Sequence, residues 1–302
     1  MMNSPFHSGE LAVQKQAGVE KMAQMVGKSI KAELPGIANA FLQQQSFVIL
    51  ASQDETGQVW SSILTGPPGF LQAQDRLSLL IQAKPRLEDP LYRNLHTHPQ
   101  VGLLVIEFAT RRRMRINGQA TVLPNNHIYI QVEQAYGNCP KYIQARELQP
   151  RNQAEQTTIN IQQGDSLTQQ QQDWLAKADT FFIASLHPGG GADASHRGGN
   201  SGFISIQDEN TLVWPDYAGN AMFNTLGNIA VNPKAGLLVI DFEQGTILQL
   251  TGEATIIWDT VAIEKHVGAE RLVSYQIDQV IETKVDQPLI WTFDSYSPFN
   301  PS

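Results

Sequence analysis

The sequence predicts a mainly β fold with helical covers, built twice in tandem. Three observations carry that reading. The first is self-similarity. "VGLLVIEF" at 101–108 returns as "AGLLVIDF" at 235–242, and "INGQATV" at 116–122 as "LTGEATI" at 250–256, both at an offset of 134. "ILAS" at 49–52 matches "FIAS" at 182–185, and Gly69-Phe70 matches Gly202-Phe203, at an offset of 133. The turn "NLHTHPQ" at 94–100 matches "NIAVNPK" at 228–234. That period is too long for a solenoid repeat, so one whole domain has been duplicated. Second, each copy is rich in short β-branched and aliphatic runs separated by Gly, Pro and Asp, the punctuation of strands. Third, a run such as "GLLVIEF" is apolar on both faces, which suits a barrel strand better than an open sheet.

The elements follow in chain order. Residues 1–34 form a helical extension with Val19, Met22, Val26 and Ile30 at helical spacing, a core or interface stripe. Copy one, 35–145, opens with a helix near Pro35, a residue suited to a first helical turn, and carries Ile37, Phe41 and Leu42. Strands are expected at 47–52, 59–65, 76–82, 101–108 and 112–123, then a helix from Asn125 or Asn126 to about Gly137. Residues 146–167, rich in Gln and Asn with Pro150 and Gly164, read as a linker. Copy two, 168–302, opens with a capping box of Thr168 and Gln171 ahead of Trp174, Leu175 and Ala178, with Trp174-Leu175 falling on Phe41-Leu42. A helix is expected from Asp259 to about Gly268, then two strands in "LVSYQIDQVIE" and "LIWTF". Each unit is thus a small barrel with helical covers.

Composition bounds the function. The 302 residues suffice for two cored domains, and 41% hydrophobic with 17% charged residues is ordinary for a soluble globular protein. A net charge of −8 argues against electrostatic wrapping of nucleic acid or anionic lipid. One cysteine, Cys139, excludes an intrachain disulfide and a cysteine-rich zinc site, in keeping with a cytoplasmic location. Glu10 and Glu20 interrupt the N-terminus, so no signal peptide is expected, and no run approaches the roughly 20 apolar residues of a membrane span.

The duplication is an internal control: shared positions are scaffold, divergent ones are candidates for function. Ser195-His196-Arg197-Gly198-Gly199-Asn200 aligns with Ser62-Ile63-Leu64-Thr65-Gly66-Pro67. Charge in a barrel strand is costly unless solvated or paired, so copy two points these groups at something polar. An arginine fork, a hydroxyl and glycine-bared backbone N–H groups suit a phosphate. Further along, "WPDYAGNAMFNTLGN" at 214–228 sets Trp214, Tyr217, Asn220, Asn224, Thr225 and Asn228 around a strand-to-helix turn, again phosphate chemistry. Trp214 could lie against a flat ring. An exposed polar strand followed by an Asn-rich turn is the plainer alternative.

The segments "FHSGELAVQ" (6–14), "SSILTGPPGF" (61–70), "ATRRRMRINGQA" (109–120), "NCPKYIQ" (138–144), "SHRGGNSGF" (195–203) and "GNAMFNTLGN" (219–228) resemble the tandem flavin-nucleotide-binding proteins related to pyridoxamine 5′-phosphate oxidase. That resemblance covers nearly the whole chain. It implies two tandem split β-barrel domains that dimerise, with FMN between barrels. It further implies that Ser195, His196, Arg197 and Asn200 bind the phosphate and ribityl chain, that Trp214, Pro215, Asp216 and Tyr217 border the flavin, and that Asn220, Asn224 and Thr225 complete the cradle. Where the oxidases proper carry Ser-Arg-Lys this chain has Phe223-Asn224-Thr225, so phosphate binding leans on Arg197 and pyridoxamine phosphate oxidation itself is in doubt.

Other candidates carry less. Arg111, Arg112, Arg113 and Arg115 align with Gly245, Thr246, Ile247 and Gln249, so their charge is not scaffold. An anion contact across the barrel interface and a solvated strand start both fit. Lys84, Arg86 and Arg93 read as surface rather than a second phosphate site. His96 and His98 lack an acidic or thiol partner at ligand spacing, so no metal is expected. Asp193, Ser195 and His196 are too close on one strand for a hydrolase triad. No Walker loop or dinucleotide GxGxxG occurs. The expectation is an FMN-dependent oxidoreductase, homodimeric, with a small-molecule or protein redox partner and no catalytic side chain evident. A non-catalytic flavin carrier or sensor is the alternative, and haem binding a further one by fold analogy.

Overall fold

The computed structural model describes residues 4–149, 159–189, 191–285 and 289–302. Copy one contains β1 (Phe47–Gln53), β2 (Val59–Thr65), β3 (Leu71–Ala73), β4 (Ser78–Ile81), β5 (Gln100–Glu107), β6 (Arg112–Val122) and β7 (Ile128–Gly137). Their order in the sheet is β2-β1-β5-β6-β7-β4-β3, with antiparallel pairing throughout. β8 (Ala145–Leu148) and β9 (Ile159–Gly164) follow. Copy two contains β10 (Thr180–His187), β11 (Gly191–Gly198), β12 (Ser205–Ile206), β13 (Thr211–Tyr217), β14 (Lys234–Ile240), β15 (Ile247–Ile257) and β16 (Ala269–Val285), in the order β11-β10-β14-β15-β16-β13-β12. The two orders are identical strand for strand. Neither sheet closes on itself, so each copy is a split barrel. β9 pairs with β16, and β17 (Trp291–Ser295) pairs with β8.

The helices are α1 (Ser8–Gln16), α2 (Glu20–Gly27), α3 (Ala38–Gln43), α4 (Pro90–Thr97), α5 (Gln169–Leu175), α6 (Asn224–Val231) and α7 (Thr260–Ile263). The internal correspondence reaches single hydrogen bonds. Asn94 of α4 donates its amide to Ser52 Oγ at 2.9 Å, and Asn228 of α6 to Ser185 Oγ at 3.0 Å. Each copy bulges at the same glycine: a Cβ on Gly118 or on Gly252 would lie 2.0 Å from a carbonyl oxygen of the facing strand.

The strands that are apolar on both faces owe this to the sister copy rather than to barrel closure. Val48 and Leu50 enter the core of copy one, whereas Phe47, Ile49 and Ala51 enter an apolar layer shared with Phe182, Ala184 and Leu238. Phe108, Phe242 and Trp291 pack edge to face in that layer. Truncating a buried Phe there to Ala costs about 3–5 kcal/mol. The backbones meet closely: a Cβ on Gly102 would lie 2.6 Å from Asp193 Cα, and one on Gly236 2.5 Å from Val59 O. The chain therefore folds as a pseudo-dimer.

Several elements differ from expectation. The helix expected between Asn125 and Gly137 is strand β7, because Ile128, Ile130 and Val132 alternate inward with more exposed Tyr129, Gln131 and Glu133. Asn126, at φ 64°, makes the turn instead. The copy-two counterpart is helical for only α7, capped by Asp259, and the chain turns at Gly268 (φ 74°). The N-terminal extension is two helices, broken at Gly18 (φ 69°). Met22 is exposed, whereas Val26 and Ile30 pack with Phe6, Ala23, Tyr136 and Met222. The segment read as a linker contributes β9 and most of β8; its residues 150–158 lie outside the described ones. The two C-terminal strands form as expected, and β3 was not foreseen. Among the described residues no helix is long and apolar enough to cross a membrane.

Candidate functional site between the two copies

A cleft of about 800 Å³ opens between the copies. Copy two contributes the end of β11 and the turn from β13 into α6, and copy one contributes β6 and the segment at 138–142. The alternation of β11 puts Asp193, Ser195 and Arg197 on one face and His196 on the other. Arg115 reaches across from β6 to the first face. It pairs with Asp193 at 3.0 Å and donates to Ser195 Oγ at 2.5 Å and to Asn224 Oδ1 at 3.4 Å. Asp193 also accepts from Thr225 Oγ1 at 3.3 Å, so this buried pair is well supplied with hydrogen bonds.

The remaining cations are less compensated. Arg271 pairs with Asp216 at 3.1 Å and with Glu270. Arg197 lies 3.8 Å from Asp216 and, among the described residues, otherwise meets Ser195 Oγ at 3.3 Å. Arg113 has no carboxylate at ion-pair distance among the described residues; it donates to Cys139 O at 2.9 Å and meets His196 Nδ1 at 3.2 Å. Burial, with Arg115 and Arg197 nearby, pushes the Arg113 pKa down to about 9. Burial and the same arginines push His196 well below the ordinary histidine range, so its imidazole is neutral. With Nδ1 accepting from Arg113, the proton is assigned to Nε2, and that buried atom has no partner among the described residues.

The turn leading into α6 is strained. Ala221 and Phe223 both sit at φ 61°, in the left-handed region, and α6 starts without a side-chain cap. Behind it packs the first turn of α1. A Cβ on Gly227 would lie 2.6 Å from Glu10 Cα, and the Asn224 amide donates to the Glu10 carboxylate. Burial lifts the Glu10 pKa to about 7 and lowers that of His7 to about 4. These residues line a second, smaller cavity of about 410 Å³ that touches the first at Asn224.

His196, Arg197, Pro215, Asp216, Tyr217, Asn220, Asn224 and Thr225 all line the cleft, so the structure brings together eight of the residues singled out in the sequence. Three sit elsewhere. Ser195 is fully buried behind Arg115 and Arg197. Trp214 is a buried core residue packed on Phe181 and Tyr275 and does not line the cleft. Asn200 is exposed and bound to Pro301 O and Asn300 of the C-terminal segment. The arginine run divides: Arg111 is held by the carbonyls of Ile143, Ser295 and Tyr296, Arg112 pairs with Glu107, and Arg113 and Arg115 enter the cleft. Lys141, Tyr142, Arg271 and the Glu10 contact were not identified from sequence.

The sequence profile described as pyridoxamine 5′-phosphate oxidase matches residues 34–163 and again 167–286. The chain belongs to the pyridoxamine 5′-phosphate oxidase family. It is a two-copy member, each match spanning one split barrel. A putative pyridoxamine 5′-phosphate oxidase from Lactobacillus delbrueckii is similar at 18% identity and TM-score 0.32, covering 38% of this chain and 93% of its own. An FAD-binding protein from Mesorhizobium loti is similar at 12% identity and TM-score 0.30, covering 43% and 99%. HupZ from Group A Streptococcus is similar at 14% identity and TM-score 0.31, covering 43% and 98%. No curated protein matches the chain.

Proposed function

We propose that the protein is an FMN-binding flavoprotein of oxidoreductase type, with one flavin site per chain in the cleft between its copies. The observation that carries this reading is the convergence of Arg113 from copy one and Arg197 from copy two on a cleft that also exposes the uncapped start of α6. Buried, weakly paired guanidinium groups are costly, and a bound anion removes that cost. The residues present fit a terminal phosphate: two forks, the second N–H of the Asn224 amide and the helix start. Tyr142 and Tyr217, 5.1 Å apart between ring centres, offer an aromatic border for the flavin ring.

When bound, the isoalloxazine supplies the electron-transfer chemistry. The chain's own groups bind and orient it. Arg197 and Arg113 hold negative charge, the Arg115–Asp193 pair fixes Ser195 and Thr225, and neutral His196 offers an Nε2–H as a donor. FMN is preferred to FAD because the chain has no dinucleotide fingerprint for an adenylate half.

Copies at 35–145 and 168–302 each supply half of this site, so a second chain is not needed to build it. The homodimer expected by resemblance then stands as a separate question of surface, decided by light scattering. The deciding experiment for the cofactor is the absorption spectrum of the purified protein and identification of the chromophore released on denaturation. Released FMN supports the assignment; FAD, or failure to load any flavin, overturns it. NAD(P)H-driven reduction of the loaded protein by a small-molecule or protein redox partner separates the oxidoreductase from a carrier or sensor.

A further inference from the structure

We propose that the groove running from α3 to the Arg113 end of the cleft is a binding subsite for an organic anion with an apolar body. The groove holds about 1080 Å³ and is walled by Ile37, Ala40, Phe41, Met114 and Pro140. It joins the cleft at Arg113 and Asn138, which line both. Because of that junction, the inference deepens the flavin reading: an occupant of the groove abuts the cleft.

Three independent features specify the ligand. The apolar wall is open to solvent, with Ile37 82% exposed at its edge. In copy two the aligned residue is Gln170, so the scaffold does not require an apolar side chain there. Next, the arginines at the rim are not equally committed. Arg111 serves backbone carbonyls, and Arg112 pairs with Glu107 while its guanidinium lies 5.3 Å over the Phe41 ring. Among the described residues Arg113, unlike the other two, has neither a carboxylate nor a full set of carbonyls, and copy two has Ile247 in its place. Finally, the Asn138 Oδ1 at the junction is buried with no hydrogen-bond partner among the described residues. A ligand N–H or O–H would satisfy it.

Charge decides between occupants. The chain carries −8 overall, so a cationic rim on an apolar wall is a local inversion that attracts an anion and disfavours a second copy of the same acidic chain. The occupant is therefore an organic anion whose negative end shares Arg113 with the cleft, with a donor facing Asn138 and its apolar part along Phe41 and Ile37.

The test uses anilinonaphthalene sulfonate, an apolar two-ring anion whose fluorescence rises on binding, with the full-length flavin-free protein. One saturable site is expected. Arg113→Gln should weaken it by about 10- to 150-fold, the value of a charge-assisted hydrogen bond. Ile37→Glu should weaken it at least about tenfold by placing charge on the apolar wall, with FMN affinity unchanged because Ile37 does not line the cleft. Val261→Glu, at an exposed apolar residue of α7, is the control and should change nothing. If Ile37→Glu binds the probe as wild type does, the groove is not the site. If Ile37→Glu instead halves the solution mass, the groove is a contact between copies and the proposal falls. A wild-type protein that binds the probe this way but takes up no FMN would overturn the flavin reading alone.

Discussion

Replacing Glu10 by Gln should make the protein more stable above neutral pH and leave it little changed near pH 4.5. Glu10 is 4% exposed and held between His7 and the start of α6, facing Asp193, Arg115, Tyr136 and Asn224, while His187 stacks on His7. Burial raises its folded pKa to about 7, against 4.5 for the free group. At 1.36 kcal/mol per pKa unit, that gap is worth about 3 kcal/mol. The sign follows from proton counting. Between pH 4.5 and 7 the unfolded chain releases the Glu10 proton while the folded chain keeps it, so stability falls as pH rises through that window and then levels off. His7 works the other way: its folded pKa of about 4 lies below the ordinary 6.5, so its contribution is lost as pH falls from 6.5 toward 4. The two slopes oppose each other, and the wild-type profile should be shallow. Glu10→Gln removes one of them and should expose the acid-side loss due to His7. Urea melts of the flavin-free protein between pH 5 and 8 measure this directly. A difference between variant and wild type that does not grow with pH would refute the buried, proton-holding Glu10 described above.

Arg197→Ala should weaken FMN binding by about 10- to 150-fold, measured by titration, with a thermal midpoint close to wild type, because Asp216 keeps Arg271. Arg115→Met should cost about 3–5 kcal/mol in denaturant melts by leaving Asp193 buried without its cation, and Asp193→Asn in the same chain should recover part of it. Flavin analysis should give one FMN per chain and not two, since the copy-one counterpart of the cradle is apolar. Light scattering on the same sample reports whether the 33.4 kDa chain is monomeric or paired.

The duplication was legible because the shared core strands kept their residues, and the strand order of copy two repeats that of copy one without exception. Local chemistry misled in two places. Asn125-Asn126 serves a turn as readily as a helix cap, and the period-2 burial of Ile128, Ile130 and Val132 is the signal that decides for a strand. Trp214 lies on its expected strand with its ring in the core, and which residues of such a strand face the core cannot be phased from the local sequence alone. The Glu10–Asn224 contact joins residues 214 positions apart, and no local pattern announces it. Arg113 and Arg115 lie between these cases. Their divergence from copy two marked them as special, and only the packing of the copies shows that they cross to β11.

That crossing bears on where the site lies. Under the pseudo-two-fold, the contact of Arg115 with Ser195 is repeated by Gln249, which donates to Ser62 Oγ at 3.1 Å. The geometry is kept and the charge is gone. Arg113 against His196 is mirrored by Ile247 and Ile63, both in or against the shared apolar layer, while the counterparts of Arg197 and Thr225 are Leu64 and Leu91 in the copy-one core. Copy one thus carries the reaching arginines and no polar strand to match Ser195–Arg197, and copy two carries that polar strand and no reaching arginines. A site contained within one barrel would have held both sets in the same copy. That division fits the proposed composite site, with its symmetry mate filled by apolar side chains, because a buried charge with no ligand to meet it is costly.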